Sequence, residues 1–528
     1  MILKPKKHNY INIILQARSN SERLPFKSLM PINNIPLVVL CANRLMGKGA
    51  KVTVITSDKK SDDFLVNNLK KHKINFFRGN LDNVYKRFLD FSKKLKNDDI
   101  MIRTTADNPF VNYKFLKKVL EYFVQHNSIY KRVDHSKHNL PYGMSVEIFR
   151  KKLLLEYKND VSKISKEHVT TKFKKYDDQK IILPNKLKTD YSNLSCTIDT
   201  FDDYKKINKV FNKFKHPYKT SWERLILELK KFKVQNKKNL KKTKYIIGGA
   251  QIGNRYNNFK KFNIKNLVKK NVIKYFNSID TAFGYKDSHK EIAKINLQKY
   301  KFNIITKLNF TQKETTQTNN IGKFYLNFYS ILSSLNENKV DTLLIHNFND
   351  FKKYGSTIIE ILNKLKRLNL INNYGVSIYN PKSLQFLMKN YKNLTIQFPI
   401  NFIDYRWNKL DIKKLKLKSK SILMGRSIFL RGSLLSENNF SRNTIINNLF
   451  NQKVSKIKMH YKIKSNLELC IRFVNSLVYL DNIVFGFEKY NHILQTLKYK
   501  NKKFSSKDTS YICNQFKFLK TKYIDLSK

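Results

Sequence analysis

The second half of this 528-residue chain carries eight short apolar segments, beginning near Tyr245, Phe276, Asn303, Val340, Asn373, Leu394, Ser421 and Asn482. Each is followed by enough chain for a helix, and the spacing is regular except for a long gap before Asn482, which calls for an insertion. Few folds accommodate that recurrence. Parallel strands need long crossovers, and eight β-α units are what a closed parallel barrel requires. The first half alternates less regularly. Apolar runs at Ile11–Leu15, Val52–Thr56 and Ile100–Arg103 are separated by helical periodicity, which predicts a parallel sheet with crossover helices. The expected architecture is therefore α/β throughout: a sheet domain over residues 1–215, a basic helix and linker over 216–243, a (β/α)8 barrel over 244–495, and a basic C-terminal helix and tail over 496–528.

Charge is the second constraint. Lys plus Arg number 104 against 39 Asp plus Glu, a formal net charge of +65. A polyanion-binding protein is one reading. The other is compositional drift: Lys, Asn, Ile, Phe and Tyr are abundant and Gly and Pro scarce, as an AT-rich coding sequence imposes. The lysines are spread along the whole chain instead of marking one face, which favours drift and argues against a specific nucleic-acid partner. The four cysteines, Cys41, Cys196, Cys470 and Cys513, lie far apart and have neither metal-site spacing nor the look of a disulfide framework. The N-terminus lacks a signal-peptide core, and no window holds the ~18 uninterrupted apolar residues of a membrane span, so a cytoplasmic protein is expected.

The first apolar strand runs into Arg18-Ser19-Asn20-Ser21-Glu22-Arg23-Leu24-Pro25-Phe26-Lys27. A basic loop at the carboxyl end of a strand is where an α/β sheet holds an anion. Arg18, Arg23 and Lys27 can converge on a polyphosphate, with Ser19, Ser21 and backbone N–H groups as further donors; a solvated basic loop is the plain alternative. The run is neither a Walker loop nor a GxGxxG fingerprint. Together with Phe77-Arg78-Gly79, Arg103-Thr104-Thr105-Ala106-Asp107-Asn108-Pro109, Pro141-Tyr142-Gly143 through Phe149, Glu167-His168-Val169-Thr170 and Cys196-Thr197-Ile198-Asp199-Thr200, it resembles the sugar cytidylyltransferases, closest to the SpsF branch related to the acylneuraminate and KDO cytidylyltransferases.

That resemblance, over about residues 10 to 215, implies a Rossmann-like nucleotidyltransferase sheet of GT-A type. It implies attack by a sugar-acid hydroxyl on the α-phosphate of CTP. Arg18, Ser21, Arg23, Lys27, Arg78 and Arg103 fall at nucleotide-binding positions, and Asp107 and Asp199 at Mg²⁺ positions. Nucleotidyl transfer needs a hard cation held by one or two carboxylates and the phosphate oxygens. Ala106 stands where the family has a glycine, and Phe26 where it usually has another. Family habit also implies a homodimer through this half.

In a β/α barrel, chemistry sits at the carboxyl ends of the strands. There the second half carries Asp280, with Tyr285 five residues on, then Lys307 and His346. Each alone has a bland explanation; together they point into one bowl. Asp280-Thr281-Ala282-Phe283-Gly284-Tyr285 with Ser288, Ile305-Thr306-Lys307-Leu308, Leu343-Leu344-Ile345-His346-Asn347, Gly249-Ala250-Gln251-Ile252-Gly253, Gly375-Val376-Ser377, Gln397-Phe398-Pro399 and Arg426-Ser427-Ile428 resemble the aldo/keto reductases, a TIM-barrel family. The resemblance implies that Tyr285 is the proton donor, that Lys307 lowers the phenol's pKa, that Asp280 holds Lys307, and that His346 orients the carbonyl. It places Ser377, Gln397, Arg426 and Gly486 around NADP(H), with NAD(H) left open because no arginine is evident for a 2′-phosphate. Ile378 stands where many members have Asn.

The expectation is a bifunctional enzyme of carbohydrate biosynthesis. It would join CMP-sugar formation from CTP and a sugar acid to NAD(P)-dependent reduction or oxidation of a carbonyl or hydroxy sugar. A chain with one half reduced to a scaffold, and a polyanion-binding protein, are the alternatives.

Overall fold

A computed structural model describes residues 11–159, 169–177, 184–232, 238–239, 242–252, 266–267, 269–296, 300–311, 316–436 and 440–524. Glu167, His168 and Gly253 of the motifs above lie outside the described residues. The chain divides into two compact units, Met1–Gln235 with Thr315–Leu326, and Asn236–Glu314 with Asn327–Lys528.

The first unit is built on six strands: β1 (Ile11–Gln16), β2 (Ala50–Ser57), β3 (Phe76–Gly79), β4 (Ile100–Thr105), β5 (Tyr130–Arg132) and β6 (Glu147–Arg150). Their order across the sheet is β3-β2-β1-β4-β6-β5. The first four are parallel, as the alternation predicts. The last two run antiparallel, β6 against β4 and β5 against β6, so the sheet is mixed. Connectivity reverses between β1 and β4. At such a switch point the loops that leave two neighbouring strands diverge and open a crevice beyond their carboxyl ends. The basic loop after β1 and Asp107 after β4 both border it.

Apolar side chains of the strands, Ile14, Ile55, Met101 and Phe149 among them, form the core with Phe88 and Phe173. The basic stretch after residue 215 contains the helix Trp222–Lys230. Ser221 caps that helix, and it buries Trp222, Leu225, Ile226 and Leu229, with Trp222 edge-on to Phe115.

The second unit is a closed barrel of eight parallel strands in sequence order: β7 (Tyr245–Gly248), β8 (Phe276–Asp280), β9 (Asn303–Leu308), β10 (Val340–Ile345), β11 (Ile371–Ser377), β12 (Thr395–Pro399), β13 (Ile422–Arg426) and β14 (Asn482–Gly486). Ile246, Ile305, Leu344, Met424 and Val484 fill its interior, a layer of branched and flexible apolar side chains from different strands. The gap before β14 holds the helices Thr444–His460 and Asn466–Ser476. Beyond residue 495, the helix Ser506–Asn514 is fixed by a capping box from Ser505 and Asp508 and buries Ile512 and Cys513. No helix among the described residues is long and apolar enough to cross a membrane.

One contact in the wall is exceptionally close. Gly375 of β11 pairs with Thr395 of β12, and a Cβ on Gly375 would lie 1.6 Å from the Thr395 carbonyl oxygen. Backbone cannot yield as a side-chain tip can. Gly375→Ala is therefore expected to destabilise the barrel by about 3 kcal/mol or more, read as a drop in the thermal or denaturant midpoint of the full chain. An unchanged midpoint would show that the two strands can part.

Candidate functional sites

In the first unit the basic loop folds back on itself. The Ser19 carbonyl accepts from Ser21 and Phe26 backbone N–H groups, and the Ser21 hydroxyl accepts from the Leu24 N–H. Phe26 holds a left-handed φ of 58°. That conformation turns Lys27 inward. Its ammonium donates to Asp107 Oδ2 (2.6 Å), Asp199 Oδ1 (3.0 Å) and the Ile198 carbonyl (2.8 Å). Arg23 pairs with the other oxygen of Asp199 (2.5 Å), although its side chain is largely exposed.

Asp107 is further fixed by the Thr105 hydroxyl (2.7 Å). Burial on its own would raise Asp107, but the Lys27 ammonium together with hydrogen bonds from Lys27, Thr105 and the backbone holds the carboxyl below its ordinary range. The spacing Asp199-Thr200-x-x-Asp203 also has a local cause. Thr200 and Asp203 make a capping box for the helix Phe201–Phe211, and Asp203 accepts from the Asp199 N–H as well.

Of the nucleotide-binding candidates, the structure brings Arg23 and Lys27 onto the two aspartates. Arg18 is exposed at the start of the loop. Ser21 is buried and serves the loop's own turn. Arg78 is tied to the Ser57 and Lys59 carbonyls and to Asp63, away from the pair. Arg103 is engaged by Glu147 (2.5 Å) and reaches Gln16 (3.3 Å). Glu147 also accepts from Tyr130 and Thr170.

Sequence reasoning gave no role to Asp62. This buried carboxylate accepts from the Ser19 N–H (2.7 Å), the Thr56 hydroxyl (2.8 Å), and the Ser57 N–H (3.0 Å) and hydroxyl (2.5 Å). It anchors the knot of the basic loop to the end of β2. Nothing in the run Asp58-Lys59-Lys60-Ser61-Asp62-Asp63 distinguishes it from a solvated turn.

In the barrel, the Lys307 ammonium is buried against Asp280 Oδ1 (2.5 Å) and the Thr281 carbonyl (3.1 Å), and the side chains of Lys307 and Asp280 are only 2% and 7% exposed. Burial lowers the Lys307 pKa, while Asp280 pulls it back up. Its nitrogen lies 5.8 Å from the centre of the Tyr285 ring, and Tyr285 stands edge-on to His346 at 6.4 Å between centroids. The four residues of the sequence pattern are thus gathered at one end of the barrel. Burial, and then the Lys307 and Arg426 charges, push His346 down to about 4, so it is neutral near pH 7. Ser288, the serine of that motif, plays a structural part. Its hydroxyl donates to the Gly249 carbonyl (3.1 Å) and meets the Thr281 hydroxyl (2.9 Å).

Ser377 and Gln397 face each other across β11 and β12 and are both buried. Gln397 Nε2 donates to Asp280 (2.9 Å), while its Oε1 is buried without a hydrogen-bond partner. An orphaned buried acceptor fits a group that brings its own N–H, such as the nicotinamide carboxamide. Gly486 ends β14 exposed, and a Cβ placed on it would meet nothing within 4 Å. In the first unit, an ammonium already sits between two carboxylates, as a metal cation would. Among the described residues no group of three or more His, Cys, Asp or Glu forms a metal cluster, so the pair fits a cation that takes its other ligands from phosphate and water.

Comparison with known proteins agrees with both geometries. Residues 12–246 match the cytidylyltransferase family model and residues 244–514 the aldo/keto reductase family model. The spore coat polysaccharide biosynthesis protein SpsF of Bacillus subtilis is 30% identical over 221 residues, covering 39% of this chain and 88% of that protein. Among solved structures, a cytidylyltransferase from Leptospira borgpetersenii is 26% identical with a TM-score of 0.38, over 42% of this chain and 95% of that one. The glycerol dehydrogenase AKR11B4 from Gluconobacter oxydans is 17% identical with a TM-score of 0.41, over 53% and 92%. The chain belongs to the SpsF-like cytidylyltransferases through its first half and to the aldo/keto reductase family through its second, a fusion of two enzyme domains. Those families imply CTP and a carbonyl compound as substrates, and NAD(P)H as the reductase cofactor.

His289, beside the barrel site, supplies a test of the packing. Burial, and then the Lys307 charge, depress its pKa to about 4, and its Nε2 meets the Thr306 hydroxyl at 3.0 Å. An unfolded histidine titrates near 6.5. Above that pH both states are neutral; between about 6.5 and 4 the unfolded chain takes the proton first, so stability falls with pH. His289→Gln is expected to flatten that part of the stability profile, measured by denaturant unfolding between pH 7 and 4.5. An unaltered slope would mean the ring is accessible to protons in the folded state.

Proposed function

We propose that this chain is a bifunctional enzyme of carbohydrate biosynthesis. Its first half transfers a cytidylyl group from CTP to the hydroxyl of a sugar acid, and its second half interconverts a carbonyl and an alcohol on a sugar-type substrate with NADP(H), or NAD(H). The catalytic modules are residues 1–215 and 244–495, with 216–243 and 496–528 as extensions. The observation that supports this reading is the same in both halves: a lysine ammonium clamped by aspartate at the carboxyl ends of the strands.

In the cytidylyltransferase, Arg18, Arg23 and Lys27 receive the triphosphate, with Ser21 shaping their loop. Lys27 is held by Asp107 and Asp199 before the nucleotide arrives, and it exchanges them for phosphate oxygens when it does. Asp107 and Asp199 would then hold Mg²⁺, whose charge offsets that of the phosphates. Arg78 and Arg103 act from the rim: Arg78 braces the end of β2, and Arg103, fixed by Glu147, faces the crevice from β4.

In the reductase, Asp280 fixes Lys307, and the ammonium beside the Tyr285 ring favours the phenolate, easing proton transfer between the Tyr285 hydroxyl and the substrate oxygen. Neutral His346 donates a hydrogen bond to that oxygen and orients the carbonyl. Ser377 and Gln397 hold the nicotinamide carboxamide, with Gly486 leaving room further along the cofactor. The dinucleotide supplies the hydride when bound.

Calorimetry on the full chain tests both halves. CTP is expected to bind in the presence of Mg²⁺ at least tenfold more tightly than ATP. Asp107→Ala should lose the Mg²⁺ dependence, and Lys27→Met should weaken CTP about tenfold or more. Tyr285→Phe should still bind the dinucleotide while its reduction rate falls by about 10²-fold or more. Equal affinity for ATP and CTP, or full reductase activity in Tyr285→Phe, would overturn the corresponding half.

A further inference from the structure

Phe26 stands immediately before Lys27, where the cytidylyltransferases usually have a glycine. Its backbone is left-handed, φ 58° and ψ 18°, and it opens the short turn Lys27–Leu29. The Phe26 N–H donates to the Ser19 carbonyl (2.8 Å), and the Leu29 N–H donates to the Phe26 carbonyl (2.9 Å). Both bonds depend on that φ, and so does the direction in which Lys27 leaves the loop. Glycine takes such a conformation freely, whereas a bulky L-residue takes it only under constraint. Something beyond local backbone preference has to hold Phe26 there.

The constraint acts on the Phe26 ring, which is buried. Tyr325 stacks on it with ring centres 5.5 Å apart and planes at 29°, and Phe64 meets it edge-on at 6.2 Å. Offset-stacked and edge-on pairs are the favourable aromatic geometries. Phe64 lies two residues beyond Asp62, so one short segment grips the loop at both ends, Asp62 at Ser19 and Phe64 at Phe26. Phe64 is itself backed by Gly322, where a Cβ would lie 2.3 Å from the ring. A glycine inside a helix weakens it, and here it lets that ring approach. Gly322 and Tyr325 are three residues apart on the helix Gln317–Leu335, and so share a face of it. Both fall in the stretch matched by the aldo/keto reductases, yet Thr315–Leu326 belongs to the first compact unit.

We propose that Tyr325 is a positioning residue of the cytidylyltransferase: with Phe64 it clamps the Phe26 ring, keeps that residue left-handed and so presents Lys27 to the triphosphate. The task that a glycine performs by itself is divided here between a strained phenylalanine and two rings, one of them carried by the reductase stretch of the sequence. The nucleotide loop of the first half is complete only with that helix. This rests on the reading of the loop as the triphosphate site, and the experiment separates the two.

The full chain, Tyr325→Leu, Phe26→Gly and the double variant are titrated with CTP and Mg²⁺ by calorimetry, and NADPH binding to the same samples reports an intact barrel. Tyr325→Leu keeps buried apolar volume but removes the stacked face. It is expected to weaken CTP about 5- to 30-fold in the unmodified background, as release of the left-handed residue implies. In the Phe26→Gly background the same substitution should weaken CTP by less than about threefold, because glycine holds the φ without the clamp. Equal weakening in both backgrounds overturns the proposal and leaves Tyr325 as general packing. No weakening in either overturns it, and so does loss of CTP binding in Phe26→Gly alone. Should Tyr325→Leu lose NADPH binding, the same comparison is made with Gly322→Ala, which presses on Phe64. If the unmodified chain does not bind CTP, the reading of the loop fails, and hydrogen exchange over residues 18–29 judges the clamp. Faster exchange in Tyr325→Leu that Phe26→Gly reverses supports it; unchanged exchange overturns it.

Discussion

A lysine ammonium taken out of water has to be met by a carboxylate, and both halves of this chain are organised around that requirement. In the barrel the partner is one buried aspartate, and the pair is nearly sealed from solvent. In the sheet domain two aspartates share the ammonium, and the pair remains partly open to the crevice. Breaking a buried pair costs far more than the pair contributes, because the abandoned charge stays where it is. Lys307 is thereby fixed in place, suited to biasing a neighbouring phenol. Lys27 sits in a wetter clamp, one that the proposed function has phosphate oxygens replace. One interaction type thus gives a rigid element in one site and an exchangeable one in the other, and solvent access sets the difference.

The architecture was legible because periodicity carries it. Eight apolar segments with helix-length spacers leave little but a closed barrel, and the strands begin within about two residues of where the sequence places them. The antiparallel pair at the edge of the first sheet was not legible, since Tyr130–Arg132 and Glu147–Arg150 are too short to declare a direction. Asp280, Lys307 and His346 could be read as a site because each ends a strand. Ser21 and Arg78 were read as ligand contacts from the resemblance to the cytidylyltransferases, and in the structure both also bond the protein's own backbone. Asp62 was invisible for the opposite reason: its role depends on Ser19, far away in sequence and adjacent only after β1 and β2 pair.

The strong positive charge looks different beside these sites. Most lysines are scattered over the chain, but the catalytic and binding candidates use only a few of them, each held by specific geometry. A background of diffuse charge attracts anions in general, while Lys27 and Lys307 are each fixed against a carboxylate at a strand end.

The tight seam between β11 and β12 has a consequence beyond stability. Gly375 lies against Thr395, and two residues further along the same register Ser377 lies against Gln397. The seam works as a caliper: the gap between Ser377 and Gln397 is set by main chain touching main chain, not by the size of any side chain. Replacement of residues elsewhere, including a wholesale shift toward lysine and asparagine, leaves that opening as it was. Composition and catalytic spacing can therefore evolve at different rates in the same polypeptide.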